Sequence, residues 1–591
     1  MKEKWILTNK KESFLKLRNN INENPLVLRI LANRGISEAE IANKFLKVNL
    51  SDLYNGFLMK DMEKGIGIIK EAIEKNKKII IYGDYDCDGV VSTVVLYKTL
   101  KKCGANFSYH IPNREEEGYG MNSDRIKKLN EEGYEVILTC DNGISAFEEV
   151  KLAKELGMEV VITDHHDIPL KKLGDEEMIQ MIPMADAVIN PKRPECKYPF
   201  KSLCGAGVAL KFAQCLYEKL KIDNREYEKL IEYVSISTVC DVVDLLDENR
   251  VIVKKGLEML NSTNNMGIQE LKKVVELEDK QINEYHLGFV IGPCINATGR
   301  LETADLSVEL LITEDRNRAK ELAKELYNLN SRRQELTKES SERVIEKVEK
   351  EKLPSEKVIV VYDENIHESI AGIVAGRVKE RFNLPCIVIT KGKEMPKGSA
   401  RSIEGYNMFE ELSNCKELLS KFGGHPMAAG LSLEEENIEK LRKKLNNNCK
   451  LTNEDIIPIV RIDSPLPLEY LDEELVELIE GLRPFGKGNP SPLFAVKNVN
   501  VNRMWLMGKD KNFLKLRCEI QGKNLNIDGI SFDKFIDFKE EYTKKFGEAE
   551  FLKACASSYI NIKMDIIYYP NINEFNGKKN IQLMIKNLRI V

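Results

Sequence analysis

Between residues 77 and 191 short apolar runs alternate with longer amphipathic stretches, regularly enough to name the elements. KKIIIYGD (77–84), ANFSYHIPN (105–113), YEVILTCDNG (134–143), MEVVITDHH (158–166) and ADAVINP (185–191) read as buried strands. GVVSTVVLYKTLKK (89–102), SDRIKKLNEEG (123–133) and ISAFEEVKLAKELG (144–157) read as the helices between them. Strands of this length alternating with helices predict a parallel, doubly wound sheet.

The pattern changes at residue 311. Residues 311–352 mix both signs of charge without Gly or Pro and predict a helical connector between lobes, a solvated surface helix being the plainer alternative. After Pro354, KVIVVYDEN (357–365) and LPCIVIT (384–390) open a second α/β lobe. Beyond about residue 455 come short, spaced, strand-like runs: VNRMWLMG (501–508), FLKLRCEI (513–520), LNIDGISF (525–532) and IQLMIKNLRIV (581–591). They predict a small barrel or sandwich. The expected fold class is therefore α/β, with two α/β lobes joined by a helical connector and followed by an all-β domain. The expected boundaries are a helical extension over 1–50, a first lobe over 51–255, a connector over 256–352, a second lobe over 353–454 and the β domain over 455–591.

Composition narrows the class. The 591 residues exceed one ordinary domain, and 42% apolar with 31% charged residues suits several buried cores. No apolar run reaches the ~20 residues of a membrane span, and the N-terminal stretch lacks a signal-peptide core. The 13 cysteines include no CxxC pair, which predicts reduced thiols in a cytoplasmic protein. A net charge of −5 does not exclude a nucleic-acid substrate, because clustered carboxylates lower the total while a groove stays basic.

In an open parallel sheet, ligands bind outside the carboxyl ends of the strands. There this sequence places Asp84, Asp86 and Asp88 after one strand, Asp141 after another, and Asp164, His165 and His166 after a third. Singly, each reads as a turn residue or helix cap. Together they crowd carboxylates whose repulsion a divalent cation relieves. Carboxylates with imidazoles and no thiolate point to Mn²⁺ or Mg²⁺. Two such ions would activate a water and stabilise the leaving oxygen of a phosphoester. In the second lobe, Ser399, Arg401 and Ser402 follow a Gly in an arrangement suited to a phosphate, and Gly423-Gly424 before His425 would let a strand pass close. The GAG at 205–207 reads as a helix start.

These residues resemble the DHH phosphoesterase family. YGDYDCDG (82–89), CDNG (140–143), TDHHD (163–167) and STVCDVVDLLDENR (237–250) are similar to its four motifs. The resemblance implies metal ligation by Asp84, Asp86, Asp88, Asp141, His165 and Asp241. His166, Asp86 and Asp141 would be catalytic, and Asp164 would hold a ring in place. Many members carry His where Tyr82 stands and Arg where Cys294 stands. IPNREEEGYGMN (111–122), GPCINATGR (292–300), HESIAGIVAGR (367–377), GSARS (398–402) and FGGHPMAAG (422–430) are similar to the RecJ branch of the family. They imply substrate contacts from Asn113, Arg114, Tyr119, Asn296, Arg300, His367, Ser399, Arg401, Ser402, Gly424 and His425. LRPFGKGNPSPLF (482–494) and the β-rich tail resemble that branch's OB-fold. Trp505, Phe513, Tyr568, Tyr569 and Phe575, with Lys563, Lys578, Lys579, Lys586 and Arg589, are its candidate strand-binding residues.

The implied activity is 5′-to-3′ degradation of single-stranded DNA to 5′-mononucleotides by a monomer, in DNA repair and recombination. Single-strand-binding protein and a helicase are the implied partners. The rivals are a phosphodiesterase for oligoribonucleotides or cyclic dinucleotides, and a non-catalytic single-strand-binding relative.

Overall fold

The computed structural model describes residues 3–591 apart from 174–176, 509, 510, 524, 533, 557, 558 and 576, and at 171–173, 177, 178 and 575 it describes the backbone only. The chain divides into two compact units, one of residues 53–243 with 251–457, the other of residues 1–52 with 244–250 and 458–591. No helix among the described residues is long and apolar enough to cross a membrane.

The five expected strands of the first lobe all form: β1 (Lys78–Tyr82), β2 (Asn106–His110), β3 (Val136–Cys140), β4 (Glu159–Thr163) and β5 (Ala187–Ile189). They pair in parallel in the order β2-β1-β3-β4-β5. Ile79 to Tyr82 and Val136 to Cys140 are buried without alternation, because helices cover both faces of such a sheet. The strand order reverses between β1 and β3, and that switch point opens the crevice in which ligands of doubly wound sheets bind. Helix α1 (Cys87–Lys102) leaves this crevice, α2 (Gly205–Leu220) packs along α1, and α3 (Ile231–Cys240) returns to it.

After α4 (Gly292–Leu301) comes α5 (Arg316–Lys350), a single helix of 35 residues. It is a connector with a buried stripe. Its N-terminal half packs on α4, and Val344 and Val348 enter the core of the second lobe. That lobe contains β6 (Ile359–Tyr362), helix α6 (Ala371–Phe382), β7 (Cys386–Thr390), β8 (Lys397–Arg401), β9 (Lys421–His425) and β10 (Ala428–Ser432). Its mixed sheet has the order β9-β10-β8-β7-β6.

In the other unit β11 (Phe494–Met507), β12 (Phe513–Glu519), β13 (Asn526–Ser531), β14 (Ile562–Phe575) and β15 (Lys578–Ile590) close a five-stranded barrel, because β14 pairs with both β15 and β11. The helical N-terminal segment belongs to this unit. Leu28, Ile30, Leu31 and Phe45 share one core with Phe494, Leu516 and Ile566. Arg34 reaches Asp463 at 2.6 Å, and Arg250 lies over the Phe45 ring at 3.7 Å.

Candidate metal centre

The turn after β1 carries Asp84, Asp86 and Asp88 into the crevice. Asp86 caps α1, its Oδ1 accepting from the Asp88 and Gly89 amides at 2.9 and 3.0 Å. Asp88 is buried, and its two oxygens accept from the Gly205 and Ala206 amides at 2.6 and 2.8 Å and from the Ser237 hydroxyl. The small-residue run at 205–207 is thus a helix start whose amides hold a carboxylate. Asp141 ends β3 at φ 62°, a left-handed conformation that Asp tolerates. Asn142 ties the strand ends together, donating to the Tyr82, Gly83 and Cys140 carbonyls at 3.1, 2.9 and 2.9 Å.

The His165 Nε2 atom lies 3.1 Å from Asp141, 3.5 Å from Asp88 and 3.8 Å from Asp241, which caps the C-terminus of α3. Asp84 with Asp86 and Asp141 forms one set of donor atoms within 4.8 Å of one another, and Asp88 with His165 and Asp241 forms another. The six residues expected as ligands are therefore together, arranged as two adjoining subsites. Burial and the neighbouring Asp86 push the Asp84 carboxyl well above the usual range, and burial with Asp88 does the same to Asp141. Burial and Asp88 push Asp241 up to about 8. Asp84 Oδ1 and Asp141 Oδ1 are buried with no hydrogen-bond partner. Orphaned carboxylate oxygens beside an imidazole fit a hard divalent cation.

Tyr82 stands apart from this cluster. Its ring lies in the core beside His110 at 5.1 Å, and its hydroxyl accepts from the Asn122 amide at 3.2 Å. Asp164 is fully buried and holds the adjacent imidazole in place, its Oδ1 accepting from His166 Nδ1 at 2.8 Å. Burial alone would lower the His166 pKa, but Asp164 pushes it up to about 9. The other ring nitrogen meets the Tyr119 hydroxyl at 3.3 Å.

Of the expected substrate contacts, the structure gathers several. Ser399 and Arg401 share one face of β8 beneath the N-terminal turn of α6, where a Cβ at Gly372 would come within 2.9 Å of the Arg401 guanidinium. Arg300 reaches across from α4 to donate to the Ser369 carbonyl at 2.6 Å, beside His367, which bonds the Ser369 hydroxyl at 2.8 Å. Burial lowers both arginines, Arg300 to about 10 with Arg114 and Arg333 alongside. Arg114 lies over the Tyr85 ring at 5.1 Å, and Tyr119 is 54% exposed at the edge of the centre. His425 faces Asp167 at 3.7 Å.

Others are engaged within the protein. The Ser402 hydroxyl is buried and donates to the Tyr406 carbonyl at 2.6 Å. Asn296 accepts from the Cys87 amide at 2.9 Å, and so holds the start of α1. Asn113 accepts from the Glu115 and Glu116 amides and shapes its own loop. Gly424 has φ 145° and would bring a Cβ within 2.4 Å of the Ala428 carbonyl, so the β9–β10 hairpin itself requires glycine there. Cys294 is buried, and its sulfur accepts from Asn330. Sequence reasoning assigned no role to Ser237 or Asn142, although both lie inside the quoted motifs.

On the barrel, Trp505 pairs across the strands with Lys515, and Lys515 and Arg517 lie 5.7 and 5.5 Å from its ring centroid. Phe513 meets Phe532, which is half exposed, at 5.0 Å. Lys563, Lys578, Lys579 and Lys586 are exposed, whereas Arg589 is engaged over the Trp5 ring. Tyr568 and Tyr569 instead fill the core, with hydroxyls on the Leu466 carbonyl and Glu480. The Phe575 side chain lies outside the described residues.

Comparison with known proteins places these stretches. Three family profiles match in succession: the DHH family, N-terminal domain, over 78–238, the DHHA1 domain over 355–451, and the RecJ OB domain over 462–587. The single-stranded-DNA-specific exonuclease RecJ of Bacillus subtilis strain 168 is 38% identical, covering 100% of this chain and 71% of that protein. Its namesake from Escherichia coli K12 is 31% identical over 95% of this chain and 96% of its own. The crystal structure of RecJ from Thermus thermophilus in complex with Mn²⁺ aligns with a TM-score of 0.80 at 24% identity, covering 99% of this chain and 79% of that one. A crystal structure of an exonuclease RecJ bound to manganese aligns with a TM-score of 0.58 at 30% identity, covering 69% of this chain and 98% of that one.

Proposed function

The chain belongs to the RecJ family of single-stranded-DNA-specific exonucleases, and from that premise we propose that it removes 5′-mononucleotides stepwise from the 5′ end of a single DNA strand. It is a phosphodiester hydrolase that uses Mn²⁺ or Mg²⁺. The observation that carries this reading is the acidic cluster at the switch point, with two buried carboxylate oxygens that accept no hydrogen bond.

Asp84, Asp86 and Asp141 would hold one cation and Asp88, His165 and Asp241 a second, with Asp141 at the junction. Bound there, divalent ions lower the pKa of a coordinated water and neutralise charge on the phosphate. The residues around them set the geometry. The α2 amides and Ser237 fix both oxygens of Asp88, so its direction does not depend on the metal. His166 is anchored through Nδ1 by Asp164, so its other ring nitrogen faces the crevice and would donate to a non-bridging phosphate oxygen as charge builds. Arg401 and Ser399, under the α6 N-terminus, bind the terminal 5′-phosphate, and Arg300 binds the backbone beside it. A 5′-phosphate bound there would set the polarity, presenting the 5′-terminal nucleotide for removal. Trp505 offers the barrel's stacking surface to the rest of the strand, flanked by Lys515 and Arg517, which share Asp528 at 2.8 and 3.1 Å.

Degradation of end-labelled single strands tests the proposal. With Mn²⁺ present, a 5′ label should be released as a mononucleotide at the earliest times while a 3′ label stays on shortening strands, and chelation should stop both. Release of the 3′ label first would reject the assigned polarity.

A further inference from the structure

Residues 111–122, which follow β2, carry Arg114 and Tyr119 to the edge of the metal centre, and their conformation is set by a carboxylate outside the metal cluster. Tyr119 is presented on a Gly-Tyr-Gly unit in which Gly118 and Gly120 take φ 83° and 78°. Among the described residues, no atom beyond the chain neighbours lies within 4 Å of a Cβ built at either glycine, so the turn requires glycine for its backbone and not for space. The Tyr119 hydroxyl ends 3.3 Å from His166 Nε2 and 3.5 Å from the Asp141 carbonyl oxygen. His166 is thereby held at both ring nitrogens, by Asp164 on one side and Tyr119 on the other.

What seats the unit is the residue before it. The Glu117 side chain is only 13% exposed. Its Oε2 accepts from Arg125 Nε at 3.2 Å and meets His110 Nε2 at 3.0 Å. Its Oε1 accepts from Arg125 Nη2 at 3.1 Å and from the Asn113 amide at 3.4 Å. The Glu117 main chain closes the same turn, its N–H donating to the Asn113 carbonyl at 2.8 Å and its carbonyl accepting from Asn122 at 3.4 Å. One carboxylate thus joins the end of β2, the start of the loop and the helix Ser123–Glu131. Burial alone would raise its pKa, but Arg125 and His110 hold it below the usual range, so it stays charged. A two-pronged pair with a guanidinium fixes direction as well as distance.

We propose that Glu117 is a positioning residue for the hydrolysis: through the loop it seats the Tyr119 hydroxyl against His166, so that the imidazole meets the scissile phosphate in one orientation. The role rests on the function proposed above, in which His166 donates to that phosphate.

Two measurements on the full chain test it. Trypsin cuts after arginine, and Arg114 lies in the seated segment. Cleavage there, identified by mass spectrometry, should be about tenfold faster in Glu117→Ala than in the parent chain and unchanged in Tyr119→Phe. Equal rates in the parent chain and Glu117→Ala would overturn the seating. In steady-state cleavage of a single strand with Mn²⁺, Glu117→Ala and Tyr119→Phe should each lower kcat about tenfold while KM stays within about twofold. The double variant should be no slower than Tyr119→Phe alone, because Glu117 acts through that hydroxyl. Losses that multiply in the double variant would overturn the role. Arg125→Met opens the same contact from the helix and replaces Glu117→Ala if that variant does not fold. The trypsin readout needs no nuclease activity. Failure of the nuclease proposal would therefore show as an inactive parent chain, and failure of this one as an active parent chain with multiplying losses.

Discussion

Asp241 sits at the C-terminus of α3, where the helix dipole and the surrounding carboxylates all disfavour its charge. A carboxyl whose pKa rises on folding binds its proton more tightly in the native state. The stability this gives is complete below about pH 4 and is lost as pH climbs through the folded pKa. For Asp241 that value is about 8. Without metal, Asp241→Asn should therefore melt near the parent chain at pH 5 and above it by about 2 °C or more at pH 9, in thermal scans with chelator. Adding Mn²⁺ should reverse the order if Asp241 is a ligand, because a charged carboxylate holds the ion more tightly than a neutral amide. A pH-independent difference would place Asp241 outside the repulsive cluster. The second residue-level test is Arg401→Ala. A bidentate charged contact contributes about 1.5–3 kcal/mol, so turnover of a 5′-phosphorylated strand should fall roughly 10- to 150-fold more than that of a 5′-hydroxyl strand. Equal losses would mean that Arg401 supports the lobe without reading the end.

At the scale of elements, the centre depends on how closely α2 approaches the end of β3. A Cβ on Gly205 would lie 2.7 Å from the Asp141 Cβ and Oδ1 atoms. Gly205→Ala should therefore weaken Mn²⁺ binding about 10- to 100-fold in calorimetry while leaving the circular dichroism spectrum unchanged. Unaltered affinity would show that Asp141 can move freely. This approach also marks the limit of what the sequence conveyed. Most strands of the first lobe were legible because strands covered on both faces have near-continuous apolar runs, while the edge strand β2, NFSYH, is only partly buried. The acidic and histidine residues that follow the strand ends were legible with them, whereas Asp241, at a helix end, was named only through the family resemblance. That the GAG amides hold Asp88 was not legible, since the partners are 117 residues apart. Strand β14 was missed for a local reason. It contains Pro570, Asn571 and Asn573 among its apolar residues, which reads as a loop, yet Pro570 pairs with Leu583 in the barrel. On the barrel surface, Trp505→Ala should weaken binding of long single strands by about 1–3 kcal/mol in fluorescence anisotropy while very short oligonucleotides are cut at the parent rate. A normal affinity would assign the barrel another role.

For the whole molecule, the decisive feature is that residues 1–52 and 458–591 share one core. Cutting the chain at 455 removes the barrel and also bares Leu28, Ile30, Leu31 and Phe45. A chain of residues 1–455 should thus bind a hydrophobic dye and scatter light, while one of residues 53–455 should do so far less. Equal behaviour of the two would contradict the shared core. The same arrangement has a consequence on the ribosome. The helices that hold Leu28 and Phe45 are made more than 400 residues before their apolar partners. At roughly 5–20 residues per second, that face waits about 25–100 s for its partner. Throughout that interval the face lacks the core that covers it in the folded chain, so a chain stalled before the barrel is made should aggregate through these helices.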